Sequence, residues 1–132
     1  MPDRRAHLLL RVAVAVLLGI HGFYRLGVMG PPDFGAFLAS KGVPFGTGLA
    51  WGITVYEMAG SVLLASGRLV RPVAAGFMAI LAGGIALVHA REGWFVVGGG
   101  RNGVEYSVLL LACLACLVLA ERPAAPPAPG EA

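Results

Sequence analysis

The stretch LLGIHGFYRLG, Leu17 to Gly27, closes an apolar run with a histidine and an arginine four residues apart. One helical turn separates His21 from Arg25, so the two share a stripe. Ionisable groups inside so apolar a segment must reach water or find partners, because an unpaired charge in hydrocarbon is costly. The whole chain agrees with a membrane reading. It is 58% hydrophobic and 13% charged, against about 25% charged residues in soluble domains. Its 132 residues allow one domain. The net charge of +3 is too small and too scattered to point to a nucleic-acid partner.

Four runs approach the ~20 apolar residues that a helix needs to cross the hydrocarbon core. They are residues 8–28, 47–66, 72–90 and 104–120. Gly30, Pro31 and Pro32 end the first, Gly67 and Arg68 end the second, and Pro72 suits the first turn of the third. Arg4 and Arg5 ahead of the first run resemble a secretory signal. Arg11 interrupts its core and no A-x-A site follows, so a retained span is expected. Between the first two runs, Asp33 caps a short segment whose Phe34, Phe37 and Leu38 share one face, the pattern of an interfacial helix. The expected fold is therefore all-α: an integral membrane four-helix transmembrane bundle over residues 1–122, with a short interfacial helix between the first two spans. Residues 123–132 read as a disordered, proline-rich tail.

An even number of spans puts both termini on one side. Arg4, Arg5, Arg11, Arg68, Arg71 and Arg122 fall on that side, and Arg25, Lys41, Arg91 and Arg101 on the other. The positive-inside rule then makes the termini cytoplasmic. By depth, His21 and Arg25 end the first span, His89 ends the third, Glu105 starts the fourth, and Glu57 lies midway along the second. These five polar groups converge on the outer half. Gly60, Ser61 and Leu64 share a face with Glu57, while Gly22 on the first helix and Ala75, Ala79 and Gly83 on the third offer small surfaces for close helix packing.

Structural roles stand beside the functional ones. Arg25 and His89 are near enough to helix ends to snorkel, Glu105 suits the positive end of a helix, and Glu57 or His21 could fix helix register through a buried pair. The CLAC doublet, Cys113 and Cys116, lies among leucines and alanines, where thiols behave as small hydrophobes. His21 and His89 are one histidine on each of two helices, a weak haem pattern, and no metal site is expected.

Several stretches in order resemble the DoxX family of small four-helix membrane proteins. They are LLR at Leu9 to Arg11, HG at His21 and Gly22 with Arg25 behind it, FLASKGVP from Phe37, YEMAGSVLLASGRLVR from Tyr56, HAREGWF from His89 and GVEYSVLLL from Gly103. The resemblance implies a multi-pass protein of the bacterial cytoplasmic membrane, associated with respiratory or redox systems, with its polar positions at His21, Arg25, Glu57, His89 and Glu105. Arg25 stands where many relatives have lysine, which keeps the charge but changes the hydrogen-bond geometry.

The leading expectation is a membrane subunit or anchor of an oxidoreductase system whose polar cluster receives a quinone or relays protons beside it. The chain carries no flavin, nicotinamide or iron–sulfur motif, and no covalently bound cofactor is expected. Electrons would come from a soluble or peripheral redox partner. A small proton-coupled transporter, which would need a homo-oligomer, and a non-catalytic membrane anchor or assembly factor are the alternatives.

Overall fold

The computed structural model describes residues 3–121, so the expected tail at 123–132 lies outside the described residues. Asp3 opens α1 (Arg4–Tyr24) by accepting the Arg5 amide at 2.9 Å, the role of an N-cap carboxylate. The helix continues into a π turn over Arg25–Met29, closed by the Gly30 amide on the Arg25 carbonyl at 2.7 Å. Gly30, at φ +82°, stops it. Pro31 and Pro32 start α2 (Pro31–Ser40), where the missing proline donors cost nothing.

Helix α3 spans Gly46–Ser66. It ends on Gly67 at φ +76°, with Arg68 N donating to Leu63 O and Gly67 N to Leu64 O, the paired bonds of a Schellman cap. Helix α4 covers Val70–Leu87 and α5 covers Glu105–Ala120. The third helix therefore stops before His89. Val88 leaves helical geometry at φ −127°, and His89–Arg91 form a separate 3-10 turn.

Three helical segments are long and apolar enough to cross a membrane: Arg4–Met29, α3 and α4. The 16-residue α5 is apolar but shorter, about 24 Å at 1.5 Å per residue. With no strands among the described residues and large apolar side chains turned outward, such as Leu9 at 72% and Val62 at 63% exposure, the chain has the inverted surface of a multi-pass membrane protein.

The buried seam draws on α1 (Val14, Ala15, Leu18), α3 (Leu64), α4 (Val70, Val73, Ala74, Phe77) and α5 (Leu110, Leu114, Leu117). Between lipid-exposed helices, association depends on close packing of small residues. Gly19 faces Ser61, Gly22 faces Thr54, Glu57 and Met58, and Gly60 lies under the Phe77 ring. On α4 the contact is different from the expected one. A Cβ at Gly83 would meet nothing within 4 Å, whereas one at Gly76 would overlap the Tyr56 hydroxyl. That hydroxyl donates to Val73 O at 2.9 Å. Helix α4 thus turns its Val73–Phe77 face to α3 and leaves Gly83 beside open space.

Helix α2 folds back along the start of α3. Backbone meets backbone where Gly35 lies on Gly46 and Thr47, and a Cβ at Gly46 would meet backbone atoms of Gly35 and Ala39 that cannot yield. We predict that Gly46→Ala lowers stability by about 1–3 kcal/mol through overpacking. Gly48→Ala, which meets nothing within 4 Å, should be neutral or stabilising by up to about 1 kcal/mol. Thermal unfolding of the two variants in detergent compares them directly.

Candidate functional site

The site begins with the carboxylate at Glu57, one turn beyond Thr54 on the buried face of α3. A charge there needs a partner, and α1 delivers Arg25. Its Nη1 donates to Glu57 Oε2 at 2.6 Å, with the two side chains only 11% and 8% exposed. The same nitrogen lies 3.4 Å from Thr54 Oγ1. Thr54 spends its own hydrogen on the Ala50 carbonyl at 2.7 Å, so its oxygen faces Arg25 as an acceptor. The Phe34 ring of α2 lies under the guanidinium, 4.2 Å from centroid to Cζ, an arrangement that favours a cation electrostatically. Gly22 makes the meeting possible. A Cβ there would stand 3.0 Å from Glu57 Cβ, Met58 Cγ and Thr54 O, which would push α1 off α3 at the level of the pair.

His21 and His89 are each held by one ring nitrogen. His21 Nδ1 lies 2.8 Å from the Leu17 carbonyl and His89 Nδ1 lies 2.7 Å from the Asn102 carbonyl. A carbonyl can only accept, so Nδ1 carries the hydrogen in both rings. When neutral, each ring therefore keeps Nε2 as a lone pair.

Between the α1–α2–α3 layer and the α4–α5 hairpin lies a cavity of about 580 Å³. His21, Arg25, Glu57, His89, Tyr106 and Ser107 reach its wall, and Leu18, Ile53, Ala79, Gly83, Leu87 and Leu110 supply much of its apolar lining. A second cleft of about 760 Å³ shares His21, Arg25, Phe34, Phe37, Val88 and Asn102 with it and extends past Ile20, Tyr24 and Met29. The combination of a large apolar wall and a few convergent polar groups is the usual character of a small-molecule site.

Four of the five candidate residues thus border one cavity, and the fifth does not. Glu105 Oε1 accepts the Val96 amide at 2.8 Å. Together with the bonds Gly103 N to Phe95 O, Val104 N to Gly93 O and Glu105 N to Trp94 O, it pins the 92–104 loop across the start of α5. Sequence reasoning missed Thr54, Phe34, Tyr106, Ser107 and Asn102. Thr54 was accessible, because it stands three residues before Glu57 and so on the same face. Phe34 and Asn102 enter only through the folding back of α2 and the loop. Among the described residues no three His, Cys, Asp or Glu side chains gather as a metal site. Cys113 and Cys116 are free thiols away from the cavity lining.

The DoxX family model matches residues 6–90, a span that contains His21, Arg25, Glu57 and His89 but not α5. No curated protein and no solved structure matches the chain.

Removing one partner of the buried pair strands the other. Arg25→Ala should destabilise the protein by about 3–5 kcal/mol, while the double change Arg25→Met with Glu57→Leu should recover most of that loss. Unfolding midpoints of the single and double variants measure the coupling.

Proposed function

The chain belongs to the DoxX family, and from that premise and its polar cleft we propose that it is a membrane subunit or anchor of an oxidoreductase system whose cavity receives a quinone headgroup. The observation that carries this reading is the pairing of an apolar wall with the Arg25–Glu57 pair and His21 in one cavity of about 580 Å³. A headgroup with two carbonyls and an apolar body matches both features.

The residues have distinct uses. Among the described residues only Nη1 of Arg25 is engaged, so Nη2 and Nε remain to donate to a carbonyl. Glu57 holds the guanidinium in place and accepts protons at the cavity wall. His21 can take or release a proton at Nε2 without surrendering its bond to Leu17. Bound quinone would accept two electrons from a peripheral partner protein and two protons through these groups.

Under this proposal α5 is a fourth span. Its 16 residues fall slightly short of the hydrocarbon thickness, and a thinned bilayer or flanking polar residues accommodate such a mismatch. Helix α2, packed along the outer start of α3, lies at the interface. The arginines at the α1 start and in the α3–α4 link support a bacterial inner-membrane orientation with both termini in the cytoplasm.

The purified protein should retain quinone from its membrane and bind a short-chain quinone analogue. Glu57→Gln and His21→Ala should each weaken that binding about tenfold, equivalent to ~1.4 kcal/mol, in samples whose helicity and dispersity show them folded, and Glu57→Gln should also lower the unfolding midpoint because Arg25 loses its carboxylate. Absence of binding together with proton flux in liposomes that Glu57→Gln abolishes would replace this reading with a transporter. Loss of folded protein as the only effect would leave an anchor.

A further inference from the structure

Arg11 is the second cation inside the apolar part of α1, and its surroundings contrast with those of Arg25. Arg25 finds a carboxylate, a hydroxyl and an aromatic face. Among the described residues Arg11 finds neither a carboxylate nor a hydrogen-bond partner. Its Nε is shut away from solvent with no acceptor, and the Arg25–Glu57 pair is the only ion pair among the described residues. The guanidinium lies flat against Gly67, close enough that a Cβ there would stand 2.7 Å from Nη1, 2.9 Å from Cζ and 3.1 Å from Nη2. Gly67 is needed for its positive φ, and its bare Cα leaves room for this contact. The C-terminal end of α3 supplies a partial negative charge, but a helix end compensates only a fraction of a full cation.

Two more guanidinium groups belong to this corner. Arg68 follows Gly67 directly and is exposed. Arg71 uses Nη2 to hold the Glu121 carbonyl at 3.2 Å, which ties the start of α4 to the end of α5. That bond is to a backbone oxygen, and Arg71 makes no ion pair among the described residues. Three cations and one acidic residue, Glu121, therefore belong to the corner formed by α1 with the ends of α3 and α5 and the start of α4. Large apolar side chains flank them, pointing outward: Leu8, Leu69 at 64% and Leu119 at 83% exposure.

We infer that this corner binds the phosphate of an anionic phospholipid, with Arg11 and Arg68 on the phosphate oxygens and the acyl chains along Leu8, Leu69 and Leu119. An acidic peptide or a free phosphate would meet the charge but leave the apolar flank uncovered. A phosphodiester carrying two hydrocarbon chains matches both. Guanidinium groups suit phosphate because their planar fork can give two parallel hydrogen bonds. The site lies at the opposite end of the bundle from the cavity and is independent of what that cavity binds.

The test uses the full chain in detergent, titrated with phosphatidylglycerol, phosphatidylcholine or inorganic phosphate. Lipid retention is read by native mass spectrometry and stability by thermal unfolding. Phosphatidylglycerol should stay bound and raise the unfolding midpoint, and Arg11→Gln should weaken its retention about tenfold, a loss of the order expected for one charge-assisted contact. If Arg11→Gln fails to fold, the exposed pair Arg68→Gln with Arg71→Gln should show the same direction of loss. Equal binding of phosphatidylcholine, an equal shift from inorganic phosphate alone, or undiminished phosphatidylglycerol retention in the folded variants would each overturn the assignment.

Discussion

A carboxylate halfway along an apolar helix constrains everything around it. Glu57 cannot sit on the lipid face, so α3 must turn that side inward, and Thr54, Gly60, Ser61 and Leu64 go with it. The charge then requires a cation, and α1 brings Arg25 to within 2.6 Å. Such proximity demands a helix surface without a side chain, which Gly22 provides. With Arg25 located, the π turn and Gly30 end α1 and Phe34 of α2 covers the guanidinium. One electrostatic requirement thereby sets the contact of three helices.

The same requirement explains why the bundle is not filled. Helices α1, α2 and α3 form one closely packed layer, joined by the ion pair and by the glycine contacts of α2 with α3. Helices α4 and α5 form a hairpin that meets this layer through the Val14, Leu64, Phe77 and Leu114 seam. Beyond that seam, toward His21 and His89, α4 presents Ala79, Gly83 and Gly84, which are too small to fill the gap. A largely apolar cavity remains, with His21, Arg25 and Glu57 on one side and His89, Tyr106 and Ser107 on the other. Its shape follows from where the large side chains stop.

Much of this was legible from residue types and spacing. The apolar runs gave the helices, Gly30 with Pro31 and Gly67 with Arg68 gave their ends, and the shared faces of His21 with Arg25 and Glu57 with Ser61 gave the orientation of α1 and α3. Three expectations differ from the structure for one reason. Gly83 continues the small-residue row of Ala75 and Ala79, but the rotation of α4 is set by Tyr56, whose hydroxyl claims Val73 and Gly76. The third helix stops at Leu87, short of His89, whose ring and the Asn102 carbonyl hold the chain in a turn. Glu105 holds the Val96 amide rather than joining the cavity. All three depend on contacts formed by the fold, which periodicity cannot register.

The sequence by itself determined that this chain is helical and suited to a membrane, where its helices begin and end to within a few residues, and which ionisable groups must be dealt with, because local propensity and hydrocarbon exclusion act along the chain. The tertiary structure alone decided which of those groups meet. Arg25 takes Glu57, His89 takes a loop carbonyl, Glu105 holds the 92–104 loop and Arg11 is left facing the opposite corner. Those outcomes rest on helix rotation and close approach, and these are fixed by side-chain contacts between segments that the order of residues does not bring together.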